Sequence, residues 1–110
     1  MLRNVRESDW KTFREFREVA LQRFCERVLG EVVSITQDSS RSHHERYLTL
    51  FRLIQRRDEE LADTFNDPAR SRMIVQLATL HTLGLLAPHE FERFSQETRS
   101  MVEALTEPSK

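Results

Sequence analysis

The sequence predicts an all-α fold: a long antiparallel helical hairpin packed by a third helix and two short C-terminal helices. Two observations support this prediction. The 110 residues include 2 glycines and 3 prolines, and so few helix breakers favour long helices. Apolar residues also recur at helical spacing along most of the chain. Because this length suits one domain, we expect a single helical domain over residues 1–110, with 1–7 and 106–110 frayed.

The first helix is predicted to follow Ser8, an N-cap residue, and to continue to about Ile35. Asp9 then lies in the first turn, where the helix dipole favours a negative charge. Nine residues at helical spacing form one broad apolar face. They are Trp10, Phe13, Ala20, Leu21, Phe24, Cys25, Val28, Val32 and Ile35.

The second helix is predicted to begin at a capping box formed by Ser42 and Glu45, and to end near Phe65. Only about five residues join it to the first helix, which favours an antiparallel hairpin. Seven residues form its apolar face. They are Tyr47, Leu50, Phe51, Ile54, Leu61, Ala62 and Phe65.

Three shorter helices are predicted in the remainder of the chain. Asp67 is expected to cap the third helix, with Pro68 at its first position. Gly84 is expected to end that helix in the left-handed region. Pro88 opens a short fourth helix, and Ser95 begins a last one.

Residues 77–94, with the sequence LATLHTLGLLAPHEFERF, form a Leu-rich turn with a glycine, followed by Glu-Phe. This segment resembles the short C-terminal helical motif called SHOCT, over 18 of the 110 residues. It departs from the usual tail position because another predicted helix follows. The resemblance implies a role in oligomerisation or binding. The alternative is that this segment has no such role and is only a helix end capped by glycine, two leucines that fill the core, and the start of a new helix.

Composition and motifs limit the classes of function. With 17 basic and 18 acidic residues, the net charge of −1 provides no field for nucleic acid or an anionic membrane. One cysteine, Cys25, allows no intrachain disulfide. We expect a cytoplasmic protein, because no apolar run resembles a signal peptide or a membrane span. Neither a Gly-rich phosphate loop nor a metal-binding spacing is present, so we expect no cofactor and no metal.

Polar residues on the apolar faces are the candidate binding residues. With the turn centred near Ser39, Arg17 and Asp58 are predicted to face each other as a buried ion pair. Alternatively, the aliphatic part of the Arg17 side chain packs along the apolar surface while its guanidinium reaches water, and Asp58 also reaches water. His81 lies on the stripe of the third helix, as a core histidine or as a ligand or proton carrier. Glu31 is expected near the start of the second helix, in contact with a histidine or solvated.

Surplus apolar surface on the first helix predicts an interface. Phe16 and Val19 lie on one flank of its main stripe, and Leu29 and Val33 lie on the other. Exposed patches of this kind mark interaction sites, and twofold dimers are the commonest homo-oligomers. We therefore expect a homodimer, with a further partner-binding surface near the turn at residues 83–94.

The resulting prediction is a small, non-enzymatic helical interaction or regulatory module. No nucleophile–base pairing indicates catalytic residues. One alternative is a ligand- or pH-sensing bundle that uses Arg17, Asp58 and His81. Another is a helix-turn-helix DNA-binding protein with residues 67–80 and 88–94 as its helices. Glu90 and Glu92 in the second of these helices argue against DNA binding.

Overall fold

The computed structural model describes residues 5–106, and these fold into five α-helices with no strand among them. This confirms the all-α fold. The helices are α1 (Glu7–Thr36), α2 (His43–Phe65), α3 (Met73–Thr82), α4 (Pro88–Phe91) and α5 (Gln96–Thr106). Val5 is buried, while Glu7 and Thr106 are helical. The fraying expected for residues 1–4 and 107–110 lies outside the described residues, and that expected for residues 5–7 and 106 stays a prediction.

Helices α1 and α2 form the predicted antiparallel hairpin. The capping box is confirmed: the Ser42 hydroxyl accepts from the Glu45 amide at 3.0 Å, and the Glu45 carboxylate accepts from the Ser42 amide at 2.8 Å. The predicted start of α1 is wrong. The helix begins after Arg6, which forms no side-chain cap, so Ser8 lies inside the first turn.

The hairpin is covered at one end only, and this divides the molecule into two regions. The head, residues 5–24 and 59–106, contains α3, α4 and α5 packed against the base of the hairpin. Its core includes the nearly inaccessible Phe13, Phe65, Phe94 and Leu77. The arm, residues 25–58, is the remainder of the hairpin with its turn. The described chain measures 52 × 33 × 25 Å, which reflects the projecting arm.

The start of the third helix differs from the prediction. Asp67 adopts a φ of 52°, in the left-handed region, so it does not serve as an N-cap. The buried Gln76 amide instead donates to the Asp67 carbonyl at 3.2 Å and accepts from the Ala69 amide at 3.3 Å. A 3₁₀ turn over Arg70–Arg72 then leads into α3. The Gln76 side chain therefore accepts from the Ala69 amide, which an Asp67 cap was expected to satisfy.

The later helix boundaries follow the predicted signals. Gly84 has a φ of 68° just after α3, the left-handed conformation that favours glycine. Pro88 is the first residue of α4. The Ser95 hydroxyl precedes α5 and accepts from the Thr98 amide at 3.3 Å. These three predictions are confirmed.

Candidate functional site

Five large apolar side chains lie uncovered on one face of the arm. Helix α1 contributes Leu29, 63% exposed, and Val33, 50% exposed. Helix α2 contributes Tyr47, Phe51 and Ile54, which are 64%, 52% and 45% exposed. Their spacings of three, four and seven residues place them on a common side of each helix. We call these five residues the arm face.

The packing of the hairpin explains why this face is uncovered. Leu53 points between the helices and is only 4% exposed. Helix α3 packs against the opposite side of the hairpin, where Thr79 and Leu83 line a cavity shared with α1 and α2. No described element covers the side that carries Leu29 and Ile54.

A shallow depression lies at the end of the arm face nearest the head. Its volume is about 210 Å³, and its lining includes Cys25, Leu29, Ile54, Asp58 and Leu61. It therefore joins α1 to α2 within the same surface. The half-buried Cys25 thiol lies here, and Arg57 and Asp58 supply the charged groups of an otherwise apolar lining.

The four interface residues predicted from α1 separate into two groups. Leu29 and Val33 are exposed as expected. Phe16 is not, because it is 7% exposed and packs in the head core with its ring 6.2 Å from that of Phe94. The Arg93 guanidinium lies over its other side at 5.0 Å. Val19 is 38% exposed but belongs to the head, ten residues from Leu29.

The predicted pair of Arg17 and Asp58 does not form. Arg17 instead caps the end of α2: its Nε donates to the Phe65 carbonyl at 3.2 Å, and its Nη2 donates to the same oxygen. Its guanidinium also lies 6.0 Å from the centre of the Phe65 ring. An arginine near a helix C-terminus satisfies carbonyls that lack helical partners.

The hairpin register explains the error. Arg57 forms a two-bonded ion pair with Glu31, at 2.9 Å for each bond. Asp58 consequently lies beside Cys25 and Leu29, which are eight and twelve residues along α1 from Arg17, or about 12–18 Å at the helical rise. Of the two alternatives for Glu31, the histidine contact does not form, because its carboxylate pairs with Arg57 and remains 41% exposed. The hydrogen bonds from Arg57 also lower the pKa of Glu31, although burial acts in the opposite direction.

His81 lies at the edge of the head core. Its ring stacks on that of Phe91, with the centroids 4.4 Å apart and an interplanar angle of 24°. It is half-buried, whereas Arg17 contacts Phe65 and Asp58 lines the depression on the arm. The structure therefore places His81 as a core histidine and does not bring the three predicted binding residues together.

Two arginines from α1 fix the turn that follows α3. Arg27 donates to the Leu83 carbonyl at 2.6 Å and to the Gly84 carbonyl at 2.7 Å. Arg23 donates to the Leu85 carbonyl at 2.9 Å and to both oxygens of Glu90 at 2.6 and 2.9 Å. Chiefly through Arg23, and despite burial, the pKa of Glu90 falls to about 2.

This turn is occupied by contacts within the chain. Most of its apolar side chains are buried in the head core, whereas Leu83 is 39% exposed, and the expected partner-binding surface there stays a prediction. The buried ones lie on either side of the start of α4. They are Leu85, Leu86, Phe91 and Phe94. Helix α4 has four residues, too short to lie along a major groove as a recognition helix. The helix-turn-helix alternative therefore has no suitable second helix.

Asp9 joins the start of α1 to the start of α5. It is 2% exposed and accepts from the Ser95 amide at 2.9 Å, the Ser95 hydroxyl at 2.6 Å and the Thr98 hydroxyl at 2.8 Å. Burial alone raises the pKa of Asp9, but these hydrogen bonds outweigh it and the pKa is lowered. This carboxylate has a structural role that its first-turn position did not indicate.

A larger cavity lies where α3 meets the hairpin. We call it the basal cavity; its volume is about 670 Å³, within the range of small-molecule sites. Phe24, Val28 and Leu83 supply apolar lining. Arg57 lies between Glu31 and Glu60 at its rim, which balances most of the charge there.

The comparisons with known proteins give no family. No family model, curated protein or solved structure matches this chain, so the resemblance to SHOCT stays a prediction. No helix within residues 5–106 is both long and apolar enough to span a membrane. In the same part of the chain, no three His, Cys, Asp or Glu side chains are grouped as metal ligands.

Three arm-face residues on α2 were absent from the predicted interface. Tyr47, Phe51 and Ile54 were assigned to the apolar face of the helix, but that face is wider than one partner helix can cover. The signal was present in the seven-residue spacing between Tyr47, Ile54 and Leu61, which is typical of helices that pack in bundles.

Proposed function

We propose that this chain is a cytoplasmic, non-enzymatic helical interaction module, and that it acts as a homodimer through its arm face. The observation that carries the proposal is the contrast in exposure along α2. Phe65 is 1% exposed in the head, whereas Phe51, on the same helix, is 52% exposed in the arm. Aromatic side chains that remain exposed to solvent on a helix fit a binding role better than a structural one.

The arm face has the character of a protein-binding surface. Monomeric proteins seldom expose contiguous apolar patches beyond a few hundred Å². Aromatic side chains such as Tyr47 and Phe51 are enriched at interfaces, because they bury large areas at a low cost in conformational entropy. A helical face of this kind fits another helical face, which is how bundles pack. A regulatory role would follow from control of that assembly.

A ligand-sensing function is a second candidate, favoured by the basal cavity. The three residues predicted for a sensor, Arg17, Asp58 and His81, do not line this cavity. The cavity lies on the opposite side of the hairpin from the arm face. The mass measurement below separates the candidates, because a monomer at high concentration would favour ligand sensing over assembly.

The test of the proposal is the absolute mass in solution, measured by light scattering on a sizing column. We expect a dimer for the wild type and a monomer for Phe51→Glu, since a carboxylate cannot be buried unpaired in an apolar interface. The matched control is Val75→Glu. Val75 lies on α3 in the head and is also 52% exposed, so this variant should remain a dimer.

Two results would contradict the proposal. One is a wild-type monomer at concentrations well above micromolar. The other is equal loss of the dimer in Val75→Glu, which would place the interface on the head. Circular dichroism of each variant excludes unfolding as the cause of a changed mass.

A further inference from the structure

The basal cavity is apolar on the sides formed by α1 and α3. Phe24 is 7% exposed, and its ring meets that of Phe65 edge-on at 5.9 Å, so the head core fixes its position. Val28 is half-buried one turn further along α1, and Leu83 is 39% exposed just beyond α3. A cavity of about 670 Å³ bounded by these side chains favours the apolar part of a ligand, because burial of apolar surface is favourable.

The charged side chains of the basal cavity do not balance. Its lining contains three carboxylates and two guanidiniums. Arg57 bonds to both Glu31 and Glu60, so these three groups are engaged with one another. Arg27 donates to two backbone carbonyls beyond α3. Asp63 provides the remaining carboxylate, and within residues 5–106 no basic side chain forms an ion pair with it. The lining therefore has one carboxylate available to a cation.

A hydroxyl group follows this carboxylate in the sequence. Thr64 lines the same cavity and is 8% exposed. Thr79, which lines the cavity from α3, donates its hydroxyl to the Val75 carbonyl at 3.1 Å, as helical threonines often do. In contrast to Thr79, Thr64 uses its hydroxyl in no hydrogen bond within residues 5–106. Because a largely buried hydroxyl normally has a partner, this group suits a hydrogen-bond donor placed in the cavity.

We propose that the basal cavity binds a small organic amine. The apolar body of the amine lies against the side formed by α1 and α3, and its ammonium group donates to the Asp63 carboxylate and the Thr64 hydroxyl. An ammonium group has several donors and no acceptor, which matches two acceptors that line one cavity. This inference goes beyond the proposed dimer and gives the ligand-sensing candidate a chemical class. Because the cavity and the arm face lie on opposite sides of the hairpin, the two proposals can fail separately.

An anionic ligand fits this lining less well than a cation. To reach Arg57, an anion has to compete with Glu31 and Glu60, which already hold its guanidinium at 2.9 Å. To reach Arg27, it has to displace backbone carbonyls. In either position it also lies in the same cavity as the unpaired Asp63, and like charges at a binding site are unfavourable.

The length of the cavity indicates the size of the amine. The residues of α2 that line it run from Arg57 to Thr64, a rise of about 10 Å. An aromatic ring joined to a short alkylamine chain has about the same length. The probe 4-phenylbutylamine therefore allows the ring to contact the apolar side chains while the ammonium group lies beside Asp63.

Titrations at pH 7, followed by NMR of the backbone amides, test the ligand class. The probe 4-phenylbutylamine, which is protonated at this pH, should shift the amides of Thr64, Thr79 and Leu83 with a Kd of about 5 mM or lower. Two matched probes separate the contributions. The anion 4-phenylbutyrate keeps the apolar body, and butylamine keeps the charge without the ring. Each should bind at least about fivefold more weakly.

Two results of these titrations would overturn the inference. Equal binding by either matched probe would show that charge or the apolar body is not recognised as proposed. A lack of shifts at these amides with about 20 mM 4-phenylbutylamine, well above the expected Kd, would show that the cavity is not an amine site.

Variants of α2 locate the ammonium group. Asp63→Asn keeps the size of the side chain but removes its charge, so it should weaken 4-phenylbutylamine binding about fivefold. The matched control is Asp58→Asn, because Asp58 is also an exposed carboxylate on α2 but does not line the basal cavity. This control should bind the probe as the wild type does. Thr64→Val replaces the hydroxyl with a methyl group and should weaken binding about threefold.

The comparison of these variants decides the assignment. Equal losses for Asp63→Asn and Asp58→Asn would overturn it, because they would indicate a general attraction of the probe to acidic side chains. Unchanged amide shifts elsewhere in each variant show that the fold is kept. The mass in solution tests the dimer separately: a dimer that does not bind the amine overturns only this site, and a monomer that binds it overturns only the proposed dimer.

Discussion

The head and the arm are built from the same two long helices but differ in what covers them. In the head, Phe13, Phe65 and Phe94 are at most 2% exposed. Within residues 25–58, all of which the structure describes, Leu53 is the one large apolar side chain with comparable burial. The arm is held instead by polar contacts such as the Arg57–Glu31 pair. Stability is therefore concentrated in the head, which leaves the arm surface available for binding.

The largest expected effect comes from comparing one phenylalanine in the head with one in the arm. Phe13→Ala should lower the free energy of unfolding by about 3–5 kcal/mol, because it empties a well-packed site. Phe51→Ala should cost the isolated chain less than about 1 kcal/mol, and under the proposed dimerisation the loss should grow with protein concentration. Urea unfolding at two protein concentrations measures both. Equal losses for the two variants would refute the division.

Asp9 offers a smaller and pH-dependent test within the head. Asp9→Asn should lower stability at pH 7 by about 1–3 kcal/mol, because it removes charge-assisted hydrogen bonds. The folded pKa of Asp9 lies below its unfolded value. The stabilisation is therefore complete above about pH 4 and is lost as the pH falls through the folded pKa.

Denaturant titrations from pH 7 to pH 2 would show the difference between wild type and Asp9→Asn shrinking with acid. Asp63→Asn, an exposed change in the same region, should stay within about 0.5 kcal/mol of wild type. A difference that did not depend on pH would contradict the ionised role of Asp9.

The two glycines give the smallest expected effects, with opposite signs. Gly30 in the arm has no atom within 4 Å of an added Cβ, so Gly30→Ala should stabilise the protein by about 0.5–1 kcal/mol. Gly84 in the head has a φ of 68°, so Gly84→Ala should destabilise it by about 1 kcal/mol. Thermal unfolding of both variants measures the sign, and a shared sign would contradict these backbone assignments.

Local signals predicted the elements well because their causes are local. The capping box at Ser42, the left-handed Gly84 and the start of α4 at Pro88 depend on residues within one turn of each other. The prediction for Asp67 failed because the side chain of Gln76, seven residues after Ala69, accepts from the Ala69 amide that an Asp67 cap would have taken. Spacing alone does not reveal which of two polar partners a backbone group will take.

Tertiary relations were predicted less well, because they depend on register and on which face is covered. Asp58 lies about two to three helical turns from Arg17, and Arg57 rather than Asp58 forms the ion pair with α1, through Glu31. Phe16 and Leu29 are both surplus to the main stripe of α1, yet α4 and its flanking residues cover one and leave the other exposed. The sequence pattern shows how much apolar surface a helix carries, but not where the remainder of the chain will lie.

The Asp9 contacts also constrain the order in which the protein can fold during synthesis. Asp9 and Thr98 are separated by 89 residues, so this bond forms only after nearly the whole described chain has left the ribosome. The hairpin needs only residues up to about 65 and closes through nearby contacts, which form quickly. A nascent chain therefore exposes the apolar side chains of its arm before the head is complete.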